Sequence, residues 1–298
     1  MHTTPRVSII IAYSGEEQQL FESVRSAQAQ SYPNSEVIVV DDSAVGVRAE
    51  TLLSSAASPR LQIHRNAQKS GSSAARNKAA QLSSAELLVP LDPGDLIAPE
   101  FLELTIAALS EGGFAGIYTN VQDFSDDPAL NYMHQTGLTI TNLFCGDLCP
   151  TTMLWSKNAF DSLGGYKTNL DTVATHDLMI RALKQGFTFS HVAQPLYMRR
   201  QYPEKQPQKA GEHLRELVRE NRETAIAHLQ AILVQQTERF SELADRHDAM
   251  YEQCAQLHSL VTGKYEQLKE MQATATKENS AQKKDLAGTL RSFFSQRP

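Results

Sequence analysis

The sequence predicts a mostly parallel α/β sheet with helices on both faces, followed by a long helical extension. Three short apolar runs, Val7–Ala12, Glu36–Asp42 and Leu87–Asp95, are separated by segments with helical periodicity. Buried parallel strands read as continuous apolar runs of this kind, and regular alternation with helices implies crossover connections. The second and third runs end on acids or an acid-bearing turn. Ligands of open α/β sheets collect at the carboxyl ends of the strands, and acids elsewhere on buried strands would be costly.

Each element has its own signal. After VSIIIA, the segment Glu16–Gln30 places Leu20, Phe21, Val24 and Ala27 at helical spacing, and Tyr32-Pro33-Asn34 turns the chain into EVIVVDD. Val45–Ala56 is a second helix candidate, Leu61–His64 a short strand and Ser73–Leu82 a third helix. The run LLVPLD is the next strand, Pro99–Leu109 a helix with proline at its first position, and Gly116–Thr119 another strand. Lys157–Leu163 and Asp177–Gln185 read as helices, and Phe187–His191 as a final strand.

Composition changes near Arg200. Tyr202–Gly211 carries two prolines and no core residues, and reads as a linker between a domain over 1–201 and a helical extension over 212–298. Within the extension, positions 229 to 271 step by alternating four and three, and ten of the thirteen are apolar; the exceptions are Gln236, His247 and Lys264. A seven-residue repeat held this long implies a left-handed coiled coil of ~65 Å and a homo-oligomer joined through residues 226–271. The competing reading is one helix packed back on the domain, which uses a wider stripe. The tail Leu286–Phe294, beside Lys283, Lys284 and Arg291, is a short amphipathic candidate for peripheral membrane contact.

The totals exclude several classes. A net charge of −6 with no basic stripe argues against nucleic-acid binding. Three scattered cysteines, Cys145, Cys149 and Cys254, make no disulfide framework and lack a partner pair for a zinc site. No apolar run approaches the roughly 20 residues of a membrane span, and Met1–Arg6 has no signal-peptide stretch. A cytoplasmic protein, peripheral at most to the inner face of a membrane, is expected.

Five segments, VSIIIAYSGEE, QSYPNSEVIVVDDS, GSSAARN, LVPLDPGD and CPTTMLWSKNAFDSLGGYKTNL, followed by HDLMIRALKQGF, stand in the order and spacing of family 2 glycosyltransferases. The resemblance covers roughly Val7–Arg200 and stops short of the extension. It implies a single GT-A domain, Rossmann-like, that transfers sugar from a nucleotide sugar, commonly a UDP-sugar, with inversion to a glycan, lipid-linked or protein acceptor. By resemblance, Ala12, Tyr13 and Glu16 meet the nucleotide, Asp42 accepts a hydrogen bond from the base, and Arg76 and Asp92 lie beside the nucleotide. Asp41 reads instead as a turn cap. Asn142–Tyr166 is implied to form the acceptor side, with Trp155 either a sugar platform or core.

Two departures from the family pattern stand out. Similar enzymes place Asp-x-Asp after the fourth strand to hold Mn²⁺ or Mg²⁺, which neutralises the leaving diphosphate. Here the run is Asp92-Pro93-Gly94-Asp95, so glycine fills the bridging slot, and the expectation is a weakly held ion on Asp92 or Asp95. Similar enzymes also supply the general base from an acidic pair six to seven residues before a helix arginine. Counting back from Arg181 gives Ala174 and Thr175, which leaves Asp177 and His176 as candidates for taking the acceptor's proton. The alternative is a GT-A-like binding or scaffold protein with impaired catalysis. A nucleotidyltransferase is less apt, because AYSGEEQQ offers no glycine-rich phosphate loop and no basic residue.

Overall fold

The computed structural model describes residues 4–15, 17–44, 46–125, 133–134, 137–145, 149–170, 173–201 and 210–246. Glu16, Cys254, the repeat beyond 246 and the tail lie outside the described residues. The chain divides into two compact units, Met1–Leu233 and Val234–Pro298. In chain order the first unit runs β1 (Val7–Tyr13), α1 (Glu17–Gln28), β2 (Ser35–Asp41), α2 (Ala49–Leu52), β3 (Leu61–Arg65), α3 (Ser72–Leu82), β4 (Leu87–Pro90), β5 (Leu96–Ile97) and α4 (Phe101–Ser110). It continues with β6 (Gly116–Phe124), β7 (Met133–His134), α5 (Ile140–Phe144), β8 (Leu154–Ser156), α6 (Lys157–Ser162), α7 (Ala174–Lys184), β9 (Phe189–Arg200), α8 (Ala210–Glu220) and α9 (Arg222–Ala227).

The apolar runs become the centre of the sheet. All seven residues of β1 and all seven of β2 are buried. Side chains alternate between faces along a strand. Ile10, Ala12, Ile38 and Val40 therefore join the core that holds the α3 alanines, while Ile9, Ile11, Tyr13, Val37 and Val39 join the opposite core with Leu20 and Val24 of α1. The strand order is β3-β2-β1-β4-β8-β6-β9-β5, with β7 on β6. Strands β3, β2, β1 and β4 are parallel; β8 runs antiparallel to both β4 and β6, and β9 is parallel to β6. The expected mostly parallel sheet is thus a mixed one, with the parallel strands β1 to β4 coming first in the sequence.

Several bounds differ from expectation. The second helix shrinks to four residues and a 3₁₀ turn at Ser54–Ala56, since only Ala49, Leu53 and Ala56 of this stretch reach the core. The last strand extends to Arg200, twelve residues in all, although Pro195 lies inside it. Its register with β6 slips between Thr119 and Val121, so residues 193–196 stand out of the ladder and the missing proline N–H breaks no bond. Helix α7 begins at Ala174 rather than Asp177.

The first unit also continues past residue 201. Leu217 and Ala225, on α8 and α9, sit in the same core cluster as Leu178, Ile180 and Tyr166. A helix from 229 to 246 follows. Leu229 and Leu233 on it are exposed, and so are Phe240 and Leu243 in the second unit. Among the described residues no helix is long and apolar enough to cross a membrane.

Candidate active site

The site is built where β1, β2 and β4 end. At the end of β2 the two acids face different ways, as neighbours on a strand must. Asp41 is fully buried and accepts from the Ser43 N–H (2.9 Å), the Ser43 hydroxyl (2.5 Å) and the Ala49 N–H (3.1 Å), so it caps the turn into α2. Asp42 turns toward α3. Its carboxylate accepts from the Asn66 amide (2.7 Å), the Ser70 N–H (2.9 Å) and hydroxyl (2.9 Å), and the Gly71 N–H (2.8 Å). Burial alone would raise its pKa; these bonds outweigh burial and hold it below the ordinary carboxylate value.

Asp92 follows β4 and forms an ion pair with Arg76, from the second turn of α3. The Arg76 side chain is 10% exposed and that of Asp92 30%, so the acid faces solvent and the guanidinium lies behind it. The guanidinium carbon stands 5.6 Å from the ring centre of Tyr166. Helix α3 therefore carries both sequence-predicted acids: Asp42 binds its N-terminus, and Asp92 binds a side chain five residues along, about 7.5 Å at the helical rise. Asn77 fixes the other wall, since its amide donates to the Tyr166 carbonyl (2.7 Å) and accepts from the Tyr166 N–H (2.9 Å). That approach is close. A Cβ on Gly165 would stand 2.6 Å from Asn77 Oδ1, so only glycine fits there.

Asp95 turns away from the loop surface. It does not cap α4, whose cap residue is Glu100 without a side-chain bond. Its carboxylate is buried against β9, where it accepts from the Tyr197 hydroxyl (2.5 Å) and the Arg200 N–H (2.9 Å). Burial first, and the charge of Asp92 second, push its pKa up to about 7 against the opposing bonds. The rest of the 92–95 loop is equally tied. Ser23 donates to the Asp95 carbonyl (2.7 Å) and accepts from the Gly94 N–H (2.9 Å), and Arg200 Nε donates to the Gly94 carbonyl (3.2 Å). Gly94 holds φ +99°, a conformation that side chains rarely adopt. Arg200 also pairs with Glu22, and Arg199 grips Asp123 with two bonds of 2.8 Å.

This donor set does not fit a divalent cation held by Asp92 and Asp95. Such ions need free carboxylate oxygens. Asp95 spends its own on Tyr197 and Arg200, Asp92 is already paired with a guanidinium, and residue 94 contributes no side chain. Among the described residues, no group of three His, Cys, Asp or Glu side chains forms a metal site either.

The acceptor-side expectations fare differently. Asp177 is fully buried, bonded by Arg181 Nε (2.7 Å) and the Asn221 amide (3.2 Å), with Lys167 at 3.3 Å. Helix α7 starts three residues earlier than predicted, so Asp177 is fixed on its first turn, where it bonds Arg181 one turn on and Asn221 between α8 and α9. A general base must touch the proton it takes. Asp177 is a structural ion here, which corrects the base assignment. Arg181 in turn donates to the carbonyls of Leu163 (2.5 Å) and Gly165 (2.7 Å), and so holds the loop that carries Tyr166. His176 is half-buried on the same turn. Trp155 is core, 1% exposed, with Phe160 and Phe189 edge-on at 6.1 and 5.3 Å. Tyr13 is also core, its hydroxyl donating to the Val47 carbonyl (3.0 Å), and Ala12 is buried beside it. Reading the sequence missed Tyr197, Arg199 and Arg200. The signal was present in PLYMRR, where a buried pair precedes two arginines at a strand end.

A family model described as glycosyl transferase family 2 matches residues 8–178, more than half of the chain. The chain belongs to glycosyl transferase family 2. Similar family members include EpsE of Bacillus subtilis (strain 168), named as a glycosyltransferase, at 24% identity over 66% of this chain and 73% of that protein. Another is the Escherichia coli UDP-Glc:alpha-D-GlcNAc-diphosphoundecaprenol beta-1,3-glucosyltransferase WfgD, at 27% identity over 50% of this chain and 59% of that one. Among solved structures, residues 1–349 of S. aureus TarS in complex with UDP-GlcNAc share the fold, with a TM-score of 0.57 at 16% identity, covering 72% of this chain and 65% of TarS 1–349. The chain thus spans less than two thirds of WfgD and of that TarS fragment. Family membership favours the glycosyltransferase over the scaffold alternative.

Proposed function

We propose that this family 2 enzyme moves a sugar from a UDP-sugar to a hydroxyl of a glycan acceptor, with inversion at the anomeric carbon. The observation that carries the proposal is the joint anchoring of Asp42 and Asp92 on α3, at the carboxyl ends of the strands that flank β1. That rim of the sheet is where an α/β fold receives a nucleotide. TarS, which shares the fold, is solved with UDP-GlcNAc, and WfgD is named for a UDP-Glc donor and a lipid-diphosphate-linked acceptor. Both support a UDP-sugar here, and WfgD supports a lipid-linked glycan acceptor.

In this reading Asp42 holds the 66–71 loop in place beside the base, its own oxygens being bonded to that loop, while Asp92 and Arg76 frame the ribose and diphosphate. His176 takes the proton of the attacking hydroxyl, since Asp177 is buried and occupied. A panel of nucleotide sugars, scored by nucleotide release in the presence of glycan acceptors, tests the donor class; silence with every UDP-sugar would remove it. In the same assay His176→Gln should lower turnover about 100-fold or more while UDP affinity stays unchanged. Undiminished turnover rejects the histidine.

The repeat supports a second proposal, a homo-oligomer through 226–271. Leu229 and Leu233 end the first unit exposed at 50% and 58%, as a coiled-coil seam would be in a single chain. Sedimentation of the full chain checks it, and a monomer at micromolar concentration refutes it.

A further inference from the structure

We infer that the donor diphosphate binds to this enzyme without a divalent cation, because every acid around the 92–95 loop already has its own protein partner. The inference rests on the UDP-sugar reading above. In an Asp-x-Asp site the metal bridges two sets of like charge, protein carboxylates and a diphosphate, which would otherwise repel. Here that repulsion has been removed from within the chain. Arg76 pairs with Asp92, Arg200 with Glu22 and Arg199 with Asp123. The fourth acid, Asp95, is turned inward to Tyr197 and the Arg200 N–H.

The pairing is built rather than incidental. Arg76 is buried between Asp92 and the Tyr166 ring, and Tyr166 is held by both backbone bonds to Asn77. A guanidinium cannot be deprotonated in this setting, so its charge is permanent and needs no ion from solution. Releasing Asp95 toward a metal would break its bonds to β9, and the loop that carries it is pinned by Ser23 and Arg200. The glycine at 94 completes the arrangement: its carbonyl, not a side chain, faces a cation, and that cation is Arg200.

Calorimetry of UDP binding to the full chain, in EDTA and in excess Mn²⁺, tests this. Affinities within about twofold of each other are expected. Arg76→Gln sharpens the test, because it uncovers Asp92. Affinity in EDTA should fall about tenfold or more, the cost of a lost charge-assisted interaction, and Mn²⁺ should restore most of it. A purely structural arginine would give no rescue by metal. If Arg76→Gln fails to fold, Arg76→Lys keeps the charge and should stay indifferent to Mn²⁺. Wild-type affinity that rises tenfold with Mn²⁺, and loses that rise in Asp92→Asn, overturns the inference while leaving the UDP donor intact. No UDP binding in either buffer sinks both.

Discussion

Asp42 and Asp177 are both buried acids, one bonded to the entry of a helix and one on the first turn of another, yet they do opposite work. Asp42 sits at a strand end and gathers backbone N–H groups of the α3 entry, so its negative charge meets dipoles. Asp177 meets full charges, Arg181 and Lys167, and closes a contact between α7 and the α8–α9 pair. The difference teaches that an acid bonded near a helix start is a candidate site residue only where a strand delivers it to the carboxyl edge of the sheet. The donor half has such strands; α7 follows a loop.

The contrast breaks most visibly at Asp177. Replacing it by Asn leaves the Arg181 charge without its carboxylate, with only the Leu163 and Gly165 carbonyls to meet it, and removing one member of a buried pair costs about 3–5 kcal/mol. Urea unfolding should show a loss of that order, with UDP affinity retained by the folded fraction. A variant as stable as its parent but inactive would restore Asp177 as the base and erase the distinction drawn above.

Asp42→Ala should cost less in stability and more in function. The variant leaves the Ser70 and Gly71 N–H groups without their acceptor, a penalty of about 1–3 kcal/mol, partly relieved by water at the rim. The 66–71 loop then loses its anchor, and UDP affinity should fall about tenfold or more while the unfolding curve shifts modestly. Should UDP bind the variant as tightly as the parent, Asp42 is only a loop cap, and the donor half loses its special status.

These two residues also mark how far the sequence could be read. The strands β1, β2 and β4 were legible because continuous apolar runs have few other uses, and the acids that follow β2 and β4 were legible with them. The placement of Asp177 was not, since it turned on a helix start hidden in Val173-Ala174-Thr175, which carries no capping side chain. Strand β9 was cut short because Pro195 and the polar residues near it disguise a strand that bulges. With β9 lost, the role of Asp95 was lost too: its partner Tyr197 lies 102 residues away, and no local pattern announces a hydrogen bond of that span. The seven-residue repeat is an expectation from period alone: the described part of it ends at 246, where Leu229, Leu233, Phe240 and Leu243 are exposed.

The smallest predicted effect concerns pH and sets Asp42 against Asp95. Asp95 has its folded pKa raised to about 7, whereas the unfolded chain ionises near 3.8. Between those values the unfolded state has already released a proton that the folded state retains, so stability falls as pH rises from about 4 to about 7 and levels off above. Asp42 has the opposite sign. Its folded pKa is depressed, so its contribution is present above 3.8 and is lost as pH drops through the folded value. Asp95→Asn should therefore flatten the stability slope between pH 4 and 7, since the amide oxygen still accepts from Tyr197 and no charge develops there. Asp42→Asn should leave that window alone and remove part of the acid-induced loss below pH 4. Denaturant midpoints across pH 3–8 for the parent and both variants decide it. A parent whose stability is flat from pH 4 to 7 would mean that Asp95 ionises freely, and that its bond to Tyr197 is not the buried clamp that keeps it out of the ligand site.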